Sequence, residues 1–175
     1  MTTDGTADTD RLRLRPVDGS DAESIWLIHS DSRTNQYNPA GPMTERLRAV
    51  EQAREWAENW ATDGHGYWAI EELRAPGVVI GFGGIRMAPW RGRQVYNLYY
   101  RLSPDAWGKG FASEVVAASV ERWHELGERL PLVAYTTADN VPSQKTAVAG
   151  GLVRRPDQDK VNSTYTDVVF ALGLD

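Results

Sequence analysis

Leu12-Arg13-Leu14-Arg15 alternates apolar with charged positions, which predicts a half-buried strand. Ahead of it, Met1–Asp10 is polar, lacks periodicity and reads as a disordered tail; residues 11–175 read as one domain. Ser20-Asp21 can cap a helix carrying Ile25, Trp26, Leu27 and Ile28. The two prolines of Asn35–Met43 mark a loop. Thr44 is a suitable N-cap for a second helix, in which Val50, Ala53, Ala57 and Trp60 recur at helical spacing up to Asp63-Gly64. Tyr67–Glu71 and Val78–Met87 read as strands joined by a turn at Ala75-Pro76-Gly77. Val95–Leu102 is the fourth predicted strand, with Tyr96, Leu98, Tyr100 and Leu102 on one face and Val95, Asn97, Tyr99 and Arg101 on the other.

After a break at Ser103-Pro104, a third helix runs through Val116, Val120 and Trp123 to Gly127. Leu132–Thr137 is a strand and Val141–Ala149 a helix; Leu152–Arg155 and Thr164–Leu172 close the chain as strands. The order β-α-α-β-β-β-α-β-α-β-β, without linker or repeat, indicates a single α/β domain with a mixed sheet and helices on both faces.

Composition narrows the chemistry. The 175 residues are 41% hydrophobic and 25% charged, ordinary for a globular domain, which excludes collagen-like and wholly disordered classes. Cysteine is absent, so disulfides, thiol nucleophiles and thiolate metal sites are impossible. A net charge of −5 argues against a nucleic-acid partner. No run of 18 apolar residues exists, and the polar N-terminal stretch does not look like an export signal, so neither a membrane partner nor export is expected and the setting reads as cytoplasmic. Without an export signal, the sequon at Asn162-Ser163-Thr164 carries no weight.

Trp107-Gly108-Lys109-Gly110 is the most informative stretch, because a helix opens immediately after it. Glycines there leave backbone N–H groups uncovered at the positive end of a helix, an arrangement that can hold a pyrophosphate, and Lys109 adds charge. The same glycines also suit a plain strand-to-helix turn. Neither the GxxxxGK[ST] loop nor the three-glycine dinucleotide pattern is present. Later, Asp139-Asn140-Val141-Pro142-Ser143 follows a strand, where Asn140 either caps the next helix or offers its amide to a ligand. His124-Glu125 lacks the second histidine of a zincin motif, and His29 and His65 are isolated, so all three read as structural or solvated; no metal site is expected.

Taken together, a strand, Trp107-Gly108-Lys109-Gly110-Phe111-Ala112 opening a helix, another strand, and Asn140-x-x-Ser143 opening a second helix resemble the GNAT superfamily of acyl-CoA N-acyltransferases. Trp107 stands where that family usually has Gln or Arg. With Leu12-Arg13-Leu14-Arg15-Pro16 and Asn140-x-x-Ser143, it resembles the RimJ/RimL branch, the ribosomal-protein alanine N-acetyltransferases and their bacterial-type small-molecule relatives. The resemblance spans roughly Asp10 to Leu174 and implies a mostly antiparallel sheet splayed between the fourth and fifth predicted strands.

It further implies acetyl-CoA as cosubstrate, with pantetheine along Tyr100, Arg101, Leu102 and Ser103. The pyrophosphate would meet Trp107, Gly108, Lys109, Gly110, Phe111, Ala112 and Ser113, with Asn140 and Ser143 facing the pantetheine and sulfur. The backbone N–H near Leu102 becomes the oxyanion donor, and Ser143, unless it is only a helix cap, the donor to the leaving thiolate. Tyr37, Trp90, Tyr96 and Tyr99 become acceptor contacts, whereas Trp56 and Trp60 read as core.

Family members often carry Glu on the fourth strand; the chain has Asn97 there, which cannot take a proton. An α-amine of pKa about 7.7 loses only about 1 kcal/mol by having to be neutral at pH 7, a lysine amine at about 10.4 about 4.6 kcal/mol. A site without a carboxylate base therefore suits an α-amine, of a peptide N-terminus or a small molecule. The alternatives are a degenerate CoA-binding sensor of the same fold and an interaction module using the aromatic N-terminal half; a homodimer suits all three.

Overall fold

A computed structural model of the protein describes residues 4–175. The strands are β1 (Ala7–Asp8), β2 (Leu12–Pro16), β3 (Tyr67–Glu72), β4 (Val79–Trp90), β5 (Arg93–Leu102), β6 (Leu132–Thr137), β7 (Val153–Arg154), β8 (Lys160–Val161) and β9 (Thr166–Leu172). The helices are α1 (Ala22–Ser30), α2 (Arg46–Asp63), α3 (Phe111–Glu125) and α4 (Val141–Ala149). One sheet runs β1-β2-β3-β4-β5-β6-β9-β7, with β8 on β9. Every pairing is antiparallel except β5–β6, which the α3 crossover makes parallel. The α/β class and the mixed, mostly antiparallel sheet are as the sequence leads one to expect.

Strand alternation divides the core between two faces. Tyr67, Ala69 and Phe82 pack under α1 and α2 with Ile25, Ile28, Ala53 and Trp56. Ile85, Tyr96 and Leu98 pack under α3 and α4 with Val116, Trp123 and Ala147. Among the described residues no helix is long and apolar enough to cross a membrane.

Several local expectations are corrected. Met1–Thr3 lie outside the described residues, but the rest of the supposed tail is structured, with Gly5 buried and Asp4, Asp8 and Asp10 exposed. Ala7–Asp8 pairs with β2, and the carbonyl of buried Gly5 accepts from Trp68 Nε1 at 3.0 Å. A two-residue strand has no period to read, and the Trp68 indole that anchors it lies 63 residues on. Asp21 stands at the N-cap of α1 but its side chain makes no cap bond there; Asp18 caps a preceding 3-10 turn, and the buried Asp21 carboxylate turns to Arg15. The second helix starts at Arg46, with no side-chain cap from Glu45, so Thr44 lies just outside it. Its buried stripe is Ala49, Ala53 and Trp56; Val50, about 100° round the helix, is exposed. The closing strands include β8, which no local pattern separates from the loop around it.

Candidate active site

The sheet opens between β5 and β6. Their parallel pairing covers only Tyr96↔Leu132 and Asn97↔Val133, while β6 continues along β9 for its full length. Backbone N–H groups on β5 point alternately to β4 and β6. Tyr96 N donates to Pro131 O on the β6 side, and Ser103 N to Ile80 O on the β4 side. Tyr100 and Leu102 therefore direct their N–H groups into the gap, beyond the last paired residue. The cleft so formed has a volume of about 640 Å³.

One end of the cleft is the start of α3. Gly108 (φ +71°) and Gly110 (φ +79°) hold the left-handed conformation that glycine alone adopts without strain, and a Cβ at Gly108 would meet nothing within 4 Å. The N–H groups of residues 108–112 donate to no backbone or side-chain acceptor among the described residues. Fifteen residues of helix stand behind them. Free amides at a helix N-terminus suit an anion such as a pyrophosphate. Arg11 holds this loop from below: it donates to Lys109 O at 2.7 Å, pairs with Glu114, and lies 4.8 Å over the Phe111 ring. Trp107, in the position usually Gln or Arg, donates its indole N–H to Leu102 O at 2.9 Å and so ties the loop to the end of β5.

The start of α4 forms another wall. Asn140 accepts from Ser143 N at 3.3 Å and donates to Thr136 Oγ1 at 2.8 Å, so its amide is engaged as a cap. Ser143 Oγ accepts from the Tyr100 hydroxyl at 3.0 Å, which leaves the serine's own proton free to be donated elsewhere.

The chain after α1 and the outward face of β5 complete the cleft. His29 is buried; its Nδ1 lies 2.9 Å from Ile25 O, a pure acceptor, so that nitrogen carries the proton. Nε2 then accepts from the Tyr99 hydroxyl at 2.8 Å. Burial, reinforced by nearby Arg101, lowers the His29 pKa to about 4. Burial pushes the Tyr99 hydroxyl well above its usual value, so both groups stay neutral.

Not every expected residue reaches the cleft. Tyr37, Tyr99, Tyr100, Arg101, Leu102, Trp107, Gly108, Gly110, Phe111, Ala112, Ser113, Asn140 and Ser143 line it. Ser103, Lys109, Asn97, Trp90 and Tyr96 do not. Ser103 N is taken by β4. Lys109 turns its ammonium toward Glu72, 3.9 Å away. Asn97 lies where β5 and β6 still pair and donates to the Tyr67 hydroxyl. Trp90, at the far end of β4, packs on the Val95, Val133 and Val169 cluster. Tyr96 is buried on the α3 side against His65. Sequence reading missed Asp167, the one carboxylate among the lining residues. It stands opposite Thr137 on β9, a neighbour that only strand register reveals.

Comparison with known proteins agrees with this fold. Residues 11–153 match the family model of the acetyltransferase (GNAT) domain. The chain is 30% identical over 150 residues to YoaA, an uncharacterised N-acetyltransferase of Bacillus subtilis (strain 168), covering 82% of this chain and 80% of that one. An acetyltransferase of Agrobacterium tumefaciens str. C58 superposes with a TM-score of 0.78 at 25% identity, over 97% of this chain and 94% of that one. The ribosomal-protein-S5-alanine acetyltransferase of Vibrio fischeri shares the fold, with a TM-score of 0.77 at 13% identity over 95% of both chains. The chain belongs to the GNAT acetyltransferase family and is an acetyl-CoA-dependent acyltransferase.

Proposed function

We propose that the protein moves acetyl from acetyl-CoA to a primary amine by direct attack, with both substrates bound in the β5–β6 cleft. The observation that carries this reading is the opening of the sheet after Asn97↔Val133. It leaves the N–H groups of Tyr100 and Leu102 unpaired along a cleft whose end is the amide-rich start of α3. Acetyl-CoA supplies the activated acyl group as a thioester. The amine nitrogen bonds to the thioester carbonyl carbon, the C–S bond breaks, and the amine gives up one proton while the thiolate accepts one.

The lining residues suit these demands. Of the Tyr100 and Leu102 N–H groups, one serves as donor to the carbonyl oxygen as charge builds on it, and the other, roughly 6.6 Å along the strand, is free for the pantetheine chain. The Ser143 hydroxyl, backed by Tyr100, donates to the departing thiolate; a thiol of pKa about 8.5 requires little acid assistance. Asp167 takes the proton from the amine, the role the sequence left empty at Asn97. A carboxylate base in the cleft lifts the restriction to low-pKa amines. A small-molecule amine and a peptide N-terminus both remain within the reading.

Thermal melting with and without acetyl-CoA tests the first half. At 100 times its Kd a ligand stabilises by about 2.7 kcal/mol, a shift of roughly 5–11 °C at this size. An adenine nucleotide without pantetheine should give less. Asp167→Asn tests the second half: kcat/KM for the best amine in a panel should fall by about 10²–10⁴-fold while the acetyl-CoA shift stays. No shift at millimolar acetyl-CoA would defeat the reading; a shift with no amine turned over would leave a CoA-binding sensor.

A further inference from the structure

Arg101 is a cation without an anion. Its side chain lines the cleft, and among the described residues no carboxylate lies within 4.0 Å of its guanidinium. Arg33, the other arginine of the lining, differs in that Asp31 neutralises it at 2.6 Å. The groups around Arg101 bring no compensating charge: His29 and Tyr99 are buried and neutral, and Asn35 is an amide.

The guanidinium is nevertheless held in place. Nη1 donates to Asn35 Oδ1 at 2.6 Å. Asn35 is 5% exposed, and its own amide nitrogen donates to His29 O at 2.9 Å and Asp31 O at 2.8 Å. Asn38 Nδ2 donates to the same Oδ1 at 2.9 Å. A buried network therefore fixes one corner of the guanidinium and leaves its other donors unclaimed. Such a fork matches the two oxygens of a carboxylate or phosphate.

Strand alternation decides which substrate brings that anion. Arg101 shares the β5 face of Asn97 and Tyr99, beneath α1 and the chain that follows it. The glycine loop opens α3, which packs on the opposite face. We propose that Arg101, positioned by Asn35, seats an anionic group of the acceptor, and that the acceptor is a small molecule carrying a carboxylate or phosphate besides its amine. This deepens the transferase reading and rests on it. Asp167, whose Oδ2 accepts from Asn162 Nδ2 at 3.2 Å, and Arg101 give the lining one carboxylate and one cation, neither of them in an ion pair among the described residues, a charge pattern complementary to such a zwitterion.

The test is acetyl transfer to matched pairs: the proteinogenic L-amino acids against their amides, and O-phosphoethanolamine against ethanolamine. Amides have the less basic amines and the intrinsic advantage in reactivity, so a preference for the acid must come from the site. The expected result is a kcat/KM at least tenfold higher for the anionic member of one or more pairs. In Arg101→Gln that preference falls about 10–100-fold, and Arg101→Lys, which keeps the charge but not the fork, retains part of it. Should Arg101→Gln fail to fold, the wild-type ratio and the graded loss in Arg101→Lys decide. A preference for the uncharged members, no preference, or one that survives in Arg101→Gln overturns the inference. So does a variant that loses the acetyl-CoA melting shift with its acid-to-amide ratio intact, which would assign the arginine to the cosubstrate. Acetyl-CoA binding with no turnover of any member also overturns the inference, leaving the transferase reading open to other amines. Absence of acetyl-CoA binding overturns the transferase reading itself.

Discussion

Between α1 and β5, His29 is committed on both ring nitrogens, one to Ile25 O and one to the Tyr99 hydroxyl, and protonation would break the second bond inside an apolar pocket. Its folded pKa of about 4 lies below the ordinary 6.5. Above pH 6.5 the residue is neutral in both folded and unfolded chains and contributes nothing to pH dependence. As pH falls from 6.5 toward 4 the unfolded chain binds a proton that the folded one refuses, so stability drops, by about 3 kcal/mol at the limit. Melting temperatures of wild type and His29→Gln measured from pH 7 to pH 4 should therefore converge on acidification, the wild type losing more. Parallel pH curves would show that the ring protonates in place. Sequence reading left His29 as structural or solvated, and it is structural; its pairing with Tyr99, 70 positions away, was not legible.

At the level of elements, the loop that opens α3 illustrates how much a spacing conveys. Gly108 and Gly110 were legible as a turn with free amides because only glycine tolerates those backbone angles without strain. Gly108→Val places a branched side chain at φ +71° over those amides, so the apparent Kd for acetyl-CoA should rise at least tenfold, from strain and occlusion together. Titration followed by intrinsic tryptophan fluorescence would measure it, and an unchanged Kd would reduce the loop to a turn. The Arg11 brace under the loop was not legible, since it joins positions 98 residues apart. Helix α2 shows the opposite case. Its existence followed from period, but its buried stripe was displaced by one residue, because alanines on a helix face carry little hydropathy signal against Val50.

Across the whole molecule, Arg15 links separate parts of the chain. It pairs with Asp21 at 2.7 Å and Glu71 at 2.8 Å, joining β2, the turn before α1 and β3. Burial would raise the Glu71 pKa, but donation from Gly77 N and pairing with Arg15 outweigh it and hold the carboxyl below its usual value. Arg15→Met would leave two buried carboxylates without their cation, at a loss of about 3 kcal/mol and roughly 6–12 °C in Tm by calorimetry. A loss under 2 °C would mean that the pair is incidental. The fold class, the order of the longer helices and strands and the glycine loop follow from local periodicity and backbone geometry, which neighbouring residues determine by themselves. The site is another matter. That β5 and β6 part after two paired residues, that Asn97 stays in the paired region, and that Asp167 and Arg101 face one cleft depend on register and crossover, which bring together residues from Arg33 to Phe170. Short-range pattern thus determined the elements, while the charges that would meet an acceptor were decided by the tertiary structure, because each belongs to a different element and acquires its environment only when the sheet closes around it.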